Sequence, residues 1–266
     1  METPLSSRID GVFFGKSTHH WDGRASSAIA KTAVAGRHEI NEFGFLADEQ
    51  TDLDHHGGHD KAIHHYASGH YQAWIAEGAI PPGTKPAAFG KNIATKCMTE
   101  WTLCIGDKLR LGTAVVQISQ GRQPCWKVSE HTKNDKMAHL FQKTCRTGWY
   151  YRVPEPGSAG VGNQVTLIDR SQPDWSVARV TSARLSRQVS QQDAETLAAL
   201  PELANGWRLA AGVSPKETTT KAPISALPAT LKPKTLDTDY WLSCRHRFVR
   251  FFKKSRTADR FDGFAK

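Results

Sequence analysis

A mainly β fold closed into a barrel, followed by a small helical module, is the architecture this chain's residue order predicts. Three observations carry the expectation. Residues 9 to 170 alternate short β-like runs with turns, residues beyond Pro173 switch to Ala- and Leu-rich stretches, and residues 214 to 238 become rich in Thr, Pro and Lys.

The clearest strands are Lys108 to Ile118 and Gln164 to Ile168. Gly106-Asp107 and Gly112-Thr113 punctuate the first, and a long turn from Gly157 to Asn163 introduces the second. Helical pieces interrupt the strands. One runs from His70 to Glu77 before the Pro81-Pro82-Gly83 break; another runs from Asp135 to Lys143, where Met137, Leu140 and Phe141 recur at helical spacing and belong to the core. Further on, Gln191 to Leu200 and Glu202 to Ala211 read as two short helices, with Pro201 opening the second and Gly212 closing it. Asp193, Glu195 and Glu202 make this segment acidic, which argues against a groove-binding DNA reader. The organisation that follows is a barrel domain over 1–172, a helical module over 173–213, a linker over 214–238 and a basic-aromatic tail over 239–266.

A chain of 266 residues holds one sizeable core plus a small appendage. No apolar run is long enough to cross a bilayer, and Met1 to Arg8 lack the basic and hydrophobic regions of an export signal, so the cytoplasm is the expected compartment. Five cysteines without a C-x-x-C pair agree with a reducing environment. The net charge of +9 owes much to the tail, from Arg245 through Arg256, where Phe248, Phe251 and Phe252 interleave with basic residues. Such a segment packs on its own protein, with Trp241 and Phe248 buried, or docks on an acidic partner, a membrane or nucleic acid.

Two segments carry candidate chemistry. In Ser119 to Lys127, Cys125 follows a proline between Arg122 and Lys127, and cationic neighbours favour the thiolate that attacks electrophiles or ligates soft metals. A half-buried structural cysteine is the alternative. In Asp54 to Tyr66, the Gly57-Gly58 pair is flanked by histidines and Lys61, so backbone N–H groups can approach an anion while lysine or protonated histidine balances its charge. A plain turn with solvated histidines is the alternative there.

These two segments, together with Leu46 to Gln50, Phe89 to Ile93, Cys104 to Asp107 and Gly148 to Tyr150, resemble in content and order the MOSC domain family, in particular its YiiM-like branch. The resemblance covers roughly the first 170 residues, and the following helical segment is similar to that branch's three-helix module. It implies a MOSC-type β-barrel and a molybdenum cofactor, a pyranopterin dithiolene bearing a phosphate, with Cys125 as a further sulfur ligand to the metal. It also implies that Arg122, Lys61, Asn92 and the His56-Gly57-Gly58 segment grip the pterin and phosphate. Two positions depart from the family pattern. Ala47 replaces a glycine, so no positive φ is required there, and Lys91 replaces a glutamate, so an ammonium group joins the expected anion site.

The activity implied is reduction of N-hydroxylated compounds such as 6-N-hydroxylaminopurine, with electrons from a separate flavin-containing reductase, because no Gly-x-Gly-x-x-Gly loop offers a dinucleotide site in the chain itself. His55, His59 and Asp60 are candidate proton relays, Trp126 and Trp149 candidate stacking platforms, and the tail a candidate docking surface for the reductase. Three other readings stay open: a sulfur carrier using a Cys125 persulfide, a zinc hydrolase using His55, His59 and His64, and a nucleic-acid-binding module.

Overall fold

The computed structural model describes residues 5–51, 57–187 and 189–212. The strands are β1 (Ser6–Phe14), β2 (Thr32–Val34), β3 (Arg37–Asn41), β4 (Gly44–Phe45), β5 (Ile63–Ala67), β6 (Ile93–Thr95), β7 (Lys108–Leu111), β8 (Ala114–Gly121), β9 (Trp149–Glu155), β10 (Gly157–Gly160) and β11 (Gln164–Asp169). Six helices accompany them among the described residues: α1 (His70–Ala76), α2 (Trp126–Thr132), α3 (Met137–Thr144), α4 (Val177–Ser186), α5 (Gln191–Ala199) and α6 (Asn205–Gly212).

Seven strands close on themselves in the order β11-β7-β8-β9-β5-β6-β1, sealed by β1 pairing with β11. Strand β1 does this because it bends. Its N-terminal half pairs with β11, its register on β6 shifts between Ile9 and Gly11, and its last residues pair with β2. Such an irregularity turns a strand from one neighbour to the next and abolishes a free edge. All pairs are antiparallel except β5–β6, which run parallel and are joined by a crossover containing α1.

Several expectations need correcting. The Lys108 to Ile118 stretch is a hairpin folding at Gly112-Thr113, with β7 and β8 as its arms. Gly157–Gly160 is a strand paired with β3, since small residues allow close backbone approach; the turn is confined to Val161-Gly162. Pro201 lies in the turn before α6, which begins only at Asn205. Helix α4 was not evident from composition, yet Ser176 caps it by accepting a hydrogen bond from the Arg179 N–H, and Val177, Val180 and Ala183 are buried at helical spacing.

The barrel core includes Ile63, Leu109, Val116, Ile118 and Tyr151, and it continues without a break into Val177, Val180, Leu197, Leu203 and Trp207 of the helical segment. Burying each such aliphatic or aromatic side chain contributes roughly 1.5–3 kcal/mol. A second cluster joins Tyr66, Tyr71, Trp74 and Phe89 to Met137 and Phe141 of α3, as the helical spacing predicted. Gly121 allows the two parts to meet: a Cβ there would collide with the Thr181 side chain of α4. The strand end that leads to Cys125 is thereby held against the helices. No helix among the described residues is long and apolar enough to cross a membrane.

Candidate functional site

Two adjoining cavities meet at Cys125. A narrow cleft, about 620 Å³ including its mouth, is lined by Lys31, Asp48, His64, Asn92, Arg122 and Lys127, among others. A wide chamber, about 1800 Å³ including its mouth, lies between the end of β8, the 3₁₀ turn His59–Lys61 and helices α4 and α6. Cys125, Lys61 and Tyr150 line both. Chain geometry puts the thiol there. After β8 the Arg122 N–H donates to the Gly148 carbonyl at 3.0 Å, Gln123-Pro124 turn the backbone, and Cys125 is the extended residue from which α2 starts. Cys125 is half-buried and free, whereas the free thiols of Cys104 and Cys145 are buried, and burial pushes each of these up to about 12.

The cleft wall is tightly connected. Asp48 and Lys31 form an ion pair whose side chains are 8% and 7% exposed. The Asp48 carboxylate also accepts from the Gly15 N–H at 2.8 Å and from Asn92 Nδ2 at 2.7 Å. Asn92 Oδ1 in turn accepts from the His64 N–H at 3.0 Å. Burial outweighs the attraction of Asp48 and lowers the Lys31 pKa. His64 is buried beside Arg122, and desolvation first, then that guanidinium, hold its pKa well below the ordinary value. A neutral His64 facing the Gly90 carbonyl with Nδ1, at 3.3 Å, donates there and leaves Nε2 as an acceptor, which has no partner in the structure. Gly148 makes room for that ring: its φ is +79°, and a Cβ would lie 2.7 Å from His64 Nε2.

His65 is a satisfied core residue. It is enclosed by Tyr151 Oη at 2.9 Å and Thr95 Oγ1 at 3.0 Å, and burial pulls it down to about 3. The expectation that protonated histidines balance an anion is therefore corrected for His64 and His65, and the cations beside Cys125 are Lys61, Arg122 and Lys127. Arg122 is itself buried, with Nη1 donating to the Phe89 carbonyl at 2.7 Å.

The predicted gripping residues are divided. Lys61, Asn92 and Arg122 share the cleft with Cys125, while Gly57 and Gly58 line the chamber. His55, His56, the linker 214–238 and the tail 239–266 lie outside the described residues. Lys91 does not reach the cleft. Its ammonium is fully buried among Phe13, Tyr66 and Tyr71, 4.1 Å from the Tyr71 ring centre, because β6 is entered with Asn92 facing the site and Lys91 facing the second core cluster. Ala47 has no positive φ, as expected.

Trp149 is fully buried against His65 and unavailable for stacking; Trp126 is exposed, but Arg24 lies 4.6 Å over its ring and Trp21 meets it edge-on. His59 packs on Phe43, and Asp60 is paired with Arg152 at 2.7 Å. Among the described residues no three His, Cys, Asp or Glu side chains are grouped to hold a metal ion. The residues missed were Lys31, for which no sequence signal existed, and Asp48 and Tyr150, which stood inside recognised stretches.

Comparison with known proteins agrees with this geometry. The MOSC domain model matches residues 52–166. Protein YiiM of Escherichia coli (strain K12) is 37% identical over 162 residues, covering 60% of this chain and 71% of that protein. A protein of Gibberella moniliformis named Reductase is 34% identical over 170 residues, 63% of this chain but 30% of its own length. The crystal structure of YiiM from Geobacillus stearothermophilus superposes with a TM-score of 0.65 at 28% identity, covering 77% of this chain and 97% of that one. The barrel and the order of its motifs thus have a common source: the chain belongs to the MOSC domain family, in its YiiM-like branch.

Proposed function

We propose that this protein is an oxidoreductase that reduces N-hydroxylated compounds, hydroxylaminopurine-type base analogues among them, with a molybdenum cofactor held in the narrow cleft and Cys125 as a ligand to its metal. The observation that carries the reading is the half-buried free thiol of Cys125, the most accessible free thiol among the described residues, at the junction of a cation-lined cleft and a larger chamber. The cleft residues fit the group. A thiolate suits a sulfur-rich metal centre, Lys61, Arg122 and Lys127 suit an anionic ligand, and the unpaired acceptor of His64 and the anchored amide of Asn92 suit a hydrogen-bonding ring.

When bound, the cofactor would supply the two electrons for reductive cleavage of the N–O bond. The protein's own part is placement. Asp48 holds Asn92 and Lys31 in register, Gly148 seats His64, and Arg122 is fixed by the Phe89 carbonyl before any ligand enters, so little reorganisation is required on binding. A relative named Reductase supports the oxidoreductase class. Electrons are proposed to come from a separate flavin-containing reductase.

The test is expression in a cofactor-competent host, with molybdenum and pterin quantified and hydroxylaminopurine reduction by a chemical reductant assayed for wild type and Cys125→Ser. The reading expects near-stoichiometric cofactor and turnover in wild type, with activity lower by at least about 100-fold in the variant, since serine is a poor ligand for a soft metal. Stoichiometric zinc without pterin would reject it. So would a protein without cofactor in which Cys125 alone accepts sulfur from a donor.

A further inference from the structure

The wide chamber contains a cation that no described residue neutralises. Arg184, in the last turn of α4, lines the chamber opposite the end of β8. Among the described residues it makes no hydrogen bond or ion pair, and its Nε is buried without a partner. The carboxylate on the chamber wall, Asp60, is already taken: Arg152 donates to it from Nε at 2.9 Å and from Nη2 at 2.7 Å. A second guanidinium, Arg187, lies close enough to act on Arg184, and burial together with that neighbour lowers the Arg184 pKa. A guanidinium remains charged regardless, so among the described residues its counter-charge is left to an anion from solvent.

The kind of anion follows from the surroundings. Guanidinium forks match the paired oxygens of a carboxylate or a phosphate, and the Arg187 charge close by adds to the positive field that Arg184 presents. The chamber is larger than a free purine requires, it reaches the thiol at Cys125, and its lining includes the exposed Gln123 amide, whereas Gln120 and Trp207, which also line it, are buried. An exposed amide such as that of Gln123 reads the donor and acceptor edge of a base. We infer that the chamber binds a nucleoside monophosphate, with Arg184 holding the phosphomonoester, so that the preferred N-hydroxylated substrates are nucleotides instead of free bases. This assignment rests on the proposed reductase reading, which it narrows to a substrate class.

Two measurements on the cofactor-loaded protein test it. First, kcat/KM is compared for 6-N-hydroxylaminopurine and for its ribonucleoside 5′-monophosphate, in wild type and Arg184→Gln. Wild type is expected to prefer the monophosphate by about 10-fold or more, and the variant to lose at least about 10-fold more on the monophosphate than on the base. Equal values for both compounds in wild type, or equal losses in the variant, overturn the inference and leave the reductase reading standing. Second, binding of adenosine 5′-monophosphate and of adenosine is followed by calorimetry, which needs no turnover. Tighter binding of the monophosphate, weakened about 10-fold by Arg184→Gln, supports the phosphate site even where neither hydroxylamino compound is reduced, in which case the reductase reading alone fails. Monophosphate binding by the cofactor-free protein that disappears on loading shows Arg184 holding the cofactor's own phosphate, and overturns the inference.

Discussion

The two cavities that share Cys125 are built on opposite plans. In the narrow cleft the wall is held by a chain of contacts, Lys31 by Asp48, Asp48 by Gly15 and Asn92, Asn92 by the His64 N–H, and among these residues the His64 Nε2 acceptor is left open. In the wide chamber Arg184 is held by none of the described residues, and the walls come from both the barrel and the helical segment. A wired, rigid wall suits a group that is bound once and kept. An under-satisfied wall suits a molecule that arrives, supplies the missing partner and leaves.

Breaking the wired side should therefore damage the fold, and breaking the open side should not. The largest effect is expected from Asp48→Ala, which strands the Lys31 ammonium in a buried position and removes the anchor of Asn92. Urea unfolding should show a loss of about 4 kcal/mol, against less than about 1 kcal/mol for Arg184→Gln. Comparable losses would erase the distinction between the cavities.

Gly148→Ala follows in size. It forces a non-glycine residue to φ +79° and drives a Cβ against the His65 carbonyl and His64 Nε2. A loss of about 3 kcal/mol is expected from strain and overpacking together, accompanied by reduced cofactor retention. Unchanged stability would mean that His64 is not seated by this glycine.

The two buried lysines sharpen the same contrast, since Lys31 has a carboxylate and Lys91 has three aromatic rings. Burial lowers Lys91 to about 7, while the unfolded lysine titrates near 10.5. Above about 10.5 both states are neutral and the penalty vanishes. As pH falls toward 7 the unfolded chain takes up the proton first, so stability drops, and below 7 the penalty is constant. The rings offset part of it through cation–π attraction. Lys91→Met should then stabilise the protein by roughly 2–3 kcal/mol at pH 7, with a margin that shrinks as pH approaches 10. A margin that stays flat over that range would contradict a buried, unpaired ammonium.

How much of this was legible in the sequence depended on distance along the chain. Cys125, Arg122 and Lys127 stand within six residues, and the turn that gathers them is local, so the segment announced itself. The wall was harder to read. Lys31 and Asp48 become a pair only when the segment after β4 docks on Gly15 at the end of β1, and Arg184 reaches the chamber only because α4 folds back on β8. The histidines misled for a physical reason: clustered imidazoles suggest positive charge, but β5 buries both His64 and His65 in the wall, where desolvation keeps them neutral. Lys91 misled in the same way, because alternation along an extended segment sends Lys91 and Asn92 to opposite sides. Repeated small residues likewise concealed a strand at Gly157–Gly160, and a proline suggested a helix start four residues too early.

The bond between Cys125 and molybdenum is the claim on which the rest depends, and X-ray absorption at the molybdenum edge measures it directly. Loaded wild-type protein should show one more sulfur neighbour to the metal than Cys125→Ser, whose fold should be intact because the half-buried thiol makes no hydrogen bond within the described structure. The same sulfur count in both proteins, with the metal still bound, would contradict the account.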